Sequence, residues 1–268
     1  MSMAYFENKV VWITGASSGI GEALAYTFAK QKTKLVLSAR REEELLRVKA
    51  ACNLPDTDVY VLPLDVAQHD LMEAATQKVI ARFGQVDILI NNAGLSHWSK
   101  IKDLSMDVIK TIMNVNFFGG VALTKAVLPD MLKRKKGNIV VISSILGKIV
   151  TPKQAAYNAS KHALMGFFDT LRAETTNDGI KVLLVCPGFV RTNVAKNSLN
   201  KEGAPINKDN NMIANGLDPL YVSEQILKAI QNNKEEIVIA GPKEKFGVLI
   251  KRLAPGLYSK FIANNKIV

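Results

Sequence analysis

The chain has 268 residues, 48% of them hydrophobic, which is enough apolar material for one substantial core, and no Pro/Gly/Ser linker or internal repeat divides it. Two cysteines in a chain this long, Cys52 and Cys186, exclude a disulfide scaffold, and a formal charge of +11 comes without the aromatic interleaving of a nucleic-acid binder. No apolar run approaches the roughly 20 residues of a membrane span, and MSMAYFENKV leads straight into strand-like sequence, so a soluble cytoplasmic protein without nucleic-acid partners is expected.

Short β-rich runs alternate with helical stretches. KVVWITG (9–15) is an apolar run ending in glycine, and helical spacing follows over 17–31. KLVLSAR (34–40) is the next strand, and REEELLRVKAA (41–51) is a helix with its acids in the first turn, where the dipole favours them. DVYVLPLD (58–65), a helix around 68–83 and VDILINNAG (86–94) continue the alternation. A long helical segment covers about 105–134 and ends in the basic run KRKK (133–136). GNIVVISS (137–144) is a strand, 153–177 is helical, and IKVLLVCPG (180–188) is nearly all apolar, as a strand covered on both faces should be. EEIVIAG (235–241) is the last strand. About seven strands with helices between them predict an α/β fold: one doubly wound, Rossmann-type domain over 1–268, with a parallel sheet and right-handed crossovers.

The segment 189–219 breaks this rhythm. It is polar, rich in Asn, Gly and Pro, and follows the C-terminal end of a strand, where a lid or substrate-binding loop is expected; disorder is the alternative.

The first strand runs into TGASSGIG (14–21). Gly15, Gly19 and Gly21 allow a tight turn and close approach of a ligand to the backbone, while Ser17, Ser18 and Ile20 sit where a helix start points free N–H groups at a pyrophosphate. The spacing differs from G-x-G-x-x-G. After the second strand an acid would bind the ribose of NAD. This chain instead has Ser38, Arg40 and Arg41, and a guanidinium can hold a 2′-phosphate by paired, charge-assisted hydrogen bonds. NADP(H) is therefore the expected cofactor. The competing reading is two arginines merely exposed at a helix start.

TGASSGIG, NNAG (91–94), NVN (114–116), the serine of ISS (142–144), Y-x-x-x-K (157–161) and PG-x-x-x-T (187–192) occur in this order. Together they resemble the short-chain dehydrogenase/reductase family over nearly the whole chain. Tyr157 and Lys161 share a helix face. The ammonium should lower the phenol pKa and make Tyr157 a general acid for carbonyl reduction and a base for alcohol oxidation. The resemblance further implies that Lys161 binds the nicotinamide ribose, that Ser144 orients the substrate oxygen and that Asn116 supports a proton relay. It places Asp65 and Val66 at the adenine and Asn92, Ala93 and Gly94 along the cofactor. Pro187, Gly188, Val190 and Thr192 would meet the nicotinamide end. A homodimer or homotetramer is implied in the same way. The bland alternative for Tyr157 and Lys161 is an ordinary exposed helix pair. A nucleotide-sensing or scaffold protein without turnover is the alternative to an enzyme.

Leu95, Trp98, Leu146, Gln154 and Phe189, with Ser144, are expected to bind a small carbonyl or alcohol substrate in a mainly apolar pocket, with His97 beside Trp98 at the rim. Lys125, His162 and Asp169 read as surface residues, and His69, His97 and His162 have no metal-ligand spacing, so no metal is expected. The tail 241–268 is basic. Phe246, Leu249, Ile250 and Leu253 fall at i, i+3, i+4 and i+7, an amphipathic helix that Pro255 interrupts. Around LAPGLY it resembles a branch with reductases of lipid-like ketones such as acyl-dihydroxyacetone phosphate. Such a tail would cover an apolar pocket, pack at an interface or touch a membrane surface.

Overall fold

The apolar runs pair into one parallel sheet of seven strands, seen in a computed structural model that describes residues 5–194, 196–207 and 214–264. Residues 195 and 208–213 of the expected substrate loop and 265–268 of the tail lie outside the described residues. The strands are β1 (Val10–Thr14), β2 (Lys34–Ser38), β3 (Val59–Val61), β4 (Ile88–Asn91), β5 (Gly137–Ile142), β6 (Ile180–Pro187) and β7 (Glu236–Ile239), in the order β3-β2-β1-β4-β5-β6-β7.

Side-chain alternation explains why both faces are apolar. Val11, Ile13, Leu35, Leu37, Ile88 and Ile90 point to one side, under α1 (Gly19–Ala29), α2 (Glu42–Cys52) and α7 (Pro219–Gln231). Val10, Trp12, Val36, Leu89, Ile139 and Val141 point to the other, under α3 (Met72–Phe83), α5 (Gly119–Arg134) and α6 (Ala155–Glu174). The strand order reverses between β1 and β4, and an α/β sheet opens a ligand crevice at such a switch, at the carboxyl ends of the strands. Both cysteines are buried free thiols, and burial pushes their pKa up, to about 11 for Cys52 and about 12 for Cys186.

The segment 105–134 is helical throughout but not uniform. α4 (Met106–Met113) passes through a π-helical turn, Asn114–Phe118, into α5. Contrary to the expectation from apolar runs, Met106–Arg134 is long and apolar enough, by length and composition, to cross a bilayer. Here it serves as a core helix, with Leu123, Val127 and Met131 packed on the sheet.

The described parts of 189–219 are tied down. Leu217 N donates to Phe189 O and Arg191 N to Leu217 O, while Trp98 N donates to Leu199 O and Leu199 N to Ser96 O. The segment leads into α7, whose Asp218 caps the helix by accepting from Leu220 N at 2.7 Å.

The tail forms α8 (Pro242–Leu253) and α9 (Pro255–Asn264), broken at Ala254 and Pro255 as expected. The predicted stripe does not form one inward face. Ile250 turns in with Val248, Tyr258 and Ile262 against Ile145 and Ile149, whereas Phe246, Leu249 and Leu253 face outward. Helix periodicity identifies a stripe, but only tertiary packing decides which side of it meets the core.

Candidate active site

The glycine turn is held in place by Thr14. Its hydroxyl donates to Ile90 O at 3.2 Å and accepts from Asn92 N at 3.0 Å and Ala93 N at 3.1 Å, pinning the end of β4 beside the end of β1. Gly15 has φ +65°, and a Cβ there would lie 2.9 Å from Ala93 Cα, so the turn requires glycine twice over. Asn92 supports the turn from beneath, donating from Nδ2 to Thr14 O at 2.9 Å and Gly15 O at 3.2 Å. Gly21 does not line the cavity; it lets α1 approach the turn, since a Cβ there would sit 2.2 Å from Gly15 O. Ser18 occupies the N-cap of α1 without a side-chain cap hydrogen bond, which leaves the first amides of the helix available to an anion.

From this turn a cavity of about 1640 Å³ runs across the carboxyl ends of the strands. A pocket for one small ligand is commonly about 300–1,000 Å³, so there is room for a dinucleotide and a second molecule. Gly15, Ser17, Ser18, Gly19 and Ile20 line one end, with Arg40, Arg41, Asp65 and Val66 beside them. Arg40 and Arg41 are exposed, and neither guanidinium has a partner among the described residues. Arg47, by contrast, is committed to Glu22 at 2.7 Å and Glu44 at 2.8 Å. Ser38 falls outside the cavity. Its side chain is buried on the opposite course of the β2 alternation, where its hydroxyl accepts from Trp12 Nε1 at 2.9 Å. Asn92, Ala93, Gly94, Pro187, Gly188, Val190 and Thr192 line the middle of the cavity. Uncapped helix amides, a tight glycine turn and free cations fit a pyrophosphate-bearing dinucleotide.

Ser144, Tyr157 and Lys161 meet at the far wall. Ser144 follows β5; its Oγ accepts from Leu146 N at 3.1 Å, and its hydroxyl is the neighbour that works to lower the Tyr157 pKa. One turn along α6, Lys161 is buried and donates from Nζ to Ile142 O at 2.8 Å, with Nζ 5.6 Å from the Tyr157 ring centre. The expected lowering of the Tyr157 pKa by Lys161 is not what these groups produce. Burial raises the phenol, and the opposing influence is its hydrogen bond with Ser144. Burial also pushes Lys161 down to about 8, because the ammonium has carbonyl contacts rather than a carboxylate beside it.

Asn116 lies in the π-helical turn, a feature that often marks functional sites. Its side chain does not line the cavity. Nδ2 donates to Leu95 O and to Ser160 Oγ, both at 2.9 Å, and Oδ1 accepts from Leu95 N at 2.7 Å. The amide thus clamps the segment after β4 to α6, and Gly94 leaves open the space that Asn116 Oδ1 and Lys161 Nζ border.

Leu95, Trp98, Leu146, Gln154 and Phe189 all line the remaining, mostly apolar wall. Gln154 Nε2 donates to Ser96 Oγ at 3.1 Å, and Oε1 accepts from Thr151 at 2.9 Å. His97 is not at the rim. It is completely buried, its ring nitrogens have no hydrogen-bond partner among the described residues, and burial lowers its pKa. Alternation along 95–98 puts it behind the wall that Trp98 faces. The tail supplies lining residues that sequence reading did not name, among them Lys243, Glu244, Tyr258, Phe261 and Ile262. Tyr258 donates from its hydroxyl to Val150 O at 2.7 Å, and Glu244 accepts from Gly241 N at 2.6 Å and Phe189 N at 3.0 Å.

Residues 9–203 match the short chain dehydrogenase family model. A Drosophila melanogaster protein, "Dehydrogenase/reductase SDR family protein 7-like", is 42% identical over 263 residues, covering 97% of this chain and 81% of the relative. The crystal structure of a short chain dehydrogenase/reductase from Burkholderia phymatum in complex with NAD superposes with a TM-score of 0.85 at 27% identity, over 94% of this chain and 95% of that one. An alcohol dehydrogenase from Thermococcus sibiricus complexed with 5-hydroxy-NADP gives 0.75 at 27% identity, over 87% and 96%. With the glycine turn, the Ser144, Tyr157 and Lys161 cluster and the sheet order in one frame, the chain belongs to the short-chain dehydrogenase/reductase family of oxidoreductases.

Proposed function

We propose that this chain is an NADP(H)-dependent oxidoreductase that interconverts an apolar, lipid-like ketone or aldehyde with its alcohol. The observation that carries the reading is one continuous cavity, with a glycine turn and two arginines unpaired among the described residues at one end and Ser144, Tyr157 and Lys161 at the other. The dinucleotide, when bound, supplies or accepts the hydride. Gly15–Ile20 would hold its pyrophosphate, and Arg40 and Arg41 its 2′-phosphate.

In the direction of reduction, Ser144 donates a hydrogen bond to the substrate oxygen and Tyr157 delivers the proton. A phenol whose pKa is raised by burial stays protonated at neutral pH, which suits it as an acid. As the substrate oxygen takes the proton, the Lys161 ammonium stabilises the phenolate left behind. Asn116 keeps Leu95, and with it the substrate wall, in register with the catalytic helix. The apolar side chains Leu95, Trp98, Leu146 and Phe189 support the choice of substrate class.

Fluorescence titration with NADPH and NADH, then NADPH oxidation against steroid, retinoid, acyl-phosphate and sugar ketones, tests the proposal. Tighter NADPH binding and turnover confined to the apolar members are expected. Full activity in Tyr157→Phe would overturn the mechanism, and saturable NADPH binding with no turnover of any ketone would overturn the enzymatic reading.

A further inference from the structure

The tail covers the cavity with its inner face, and its outer face calls for an explanation of its own. Phe246, Leu249, Leu253, Leu257 and Phe261 are each between 50% and 72% exposed. Phe246, Leu249 and Leu253 form an exposed apolar row along α8, and Leu257 and Phe261, four residues apart, form another along α9 beyond the break at Ala254 and Pro255. Ala254 joins the two helices, its N–H donating to Ile250 O at the end of α8 and its carbonyl accepting from Leu257 N and Tyr258 N at the start of α9. Exposed side chains of this size do not stabilise a fold in water; gathered on two consecutive helices they mark a contact surface.

Charge decides the kind of contact. Lys245, Arg252 and Lys260 each precede a member of an apolar row by one residue, about 100° around the helix, so cations flank the apolar side chains. Lys243 lines the cavity and Lys251 stands over the Tyr258 ring, while the single acid among the described residues of this region, Glu244, is turned inward to Gly241 N and Phe189 N. A second copy of this face, apposed about a twofold axis, would bring three cations against three cations. An anionic bilayer satisfies both kinds of group at once, apolar side chains among the acyl chains and cations at the headgroups. Phe261 also lines the cavity, so the same face borders its mouth.

We propose that α8 and α9 form a docking surface for an anionic lipid bilayer, held in the interfacial plane by the exposed apolar side chains from Phe246 to Phe261. The proposal stands apart from the catalytic reading, since vesicle binding is measured without cofactor or turnover. The experiment is cosedimentation of the full chain with vesicles of phosphatidylcholine alone and of phosphatidylcholine with phosphatidylserine, at low and high salt. Binding to the mixed vesicles, weakened by salt and by Lys245→Glu/Arg252→Glu/Lys260→Glu, is expected. Phe246→Ser/Leu253→Ser, which alters only exposed positions outside the cavity lining, should lower partitioning at least about tenfold. Sedimentation velocity on the same proteins gives the alternative its chance. No binding to mixed vesicles, equal binding to phosphatidylcholine alone, or binding unchanged in the serine variant would overturn the proposal. So would self-association that Phe246→Ser/Leu253→Ser abolishes, since the face would then be a subunit interface.

Discussion

The two ends of the cavity are built from different materials. The phosphate end is backbone: a turn with φ +65° at Gly15, uncapped amides at α1 and the Thr14 hydroxyl tying two strand ends together. The substrate end is side chains brought from far apart in the chain, such as Tyr258 on Val150 O and Glu244 on Phe189 N. Backbone geometry tolerates few substitutions and serves one ligand shape. Side-chain walls can be re-cut while the chemistry beside them stays in place.

That contrast can be broken or sharpened at several sites. The largest effect belongs to the junction of the two ends: Tyr157→Phe should lower kcat about 10³-fold, the scale of a positioned general acid, with thermal stability nearly unchanged. A drop of less than tenfold would move the proton source elsewhere.

Burial of Lys161 makes the next effect. Its folded pKa of about 8 lies below the ordinary 10.5, so the unfolded chain binds the proton more tightly. The cost of burying the charge, about 3 kcal/mol, is fully present below pH 8 and is relieved as pH rises from about 8 to about 10.5. Stability relative to Lys161→Met should therefore climb across that window in urea unfolding, and a constant difference would refute it.

At the phosphate end, Arg40→Asp should raise KM for NADPH about tenfold or more and leave that for NADH nearly unchanged. Equal effects on both would put the arginine outside the 2′-phosphate site. The smallest effect belongs to the cover. Tyr258→Phe removes one hydrogen bond to Val150 O, worth about 1 kcal/mol, and should lower Tm by about 2–4 °C. KM for bulky ketones should rise a few-fold while that for NADPH holds; a matching rise for NADPH would show that the two ends are not independent.

What could be read from the sequence follows the same division. The sheet, the glycine turn and the Tyr157/Lys161 pair were legible because each depends on local spacing: period two in strands, four residues in a helix, three glycines at a strand end. Ser38 was misplaced because its neighbours mark a ligand while strand alternation turns its own side chain toward Trp12. The Asn116 clamp, the Thr14 tie and the burial that raises Tyr157 rest on contacts between residues distant in sequence, which no window of spacing contains. The helix α7 could have been found from Asp218-Pro219 as cap and first turn, followed by Val222, Ile226 and Ile230.

The Glu244 carboxylate carries a consequence for how such a protein can diversify. One oxygen holds the start of α8 and the other holds the exit of β6, so this carboxylate sets the register of the last two helices on the domain, beside the Tyr258 hydroxyl and the apolar packing of Val248, Ile250 and Ile262 on Ile145 and Ile149. A change in the last two helices can therefore reach the exit of β6 and the cavity wall through one side chain, altering what the wall presents without touching Ser144, Tyr157 or Lys161.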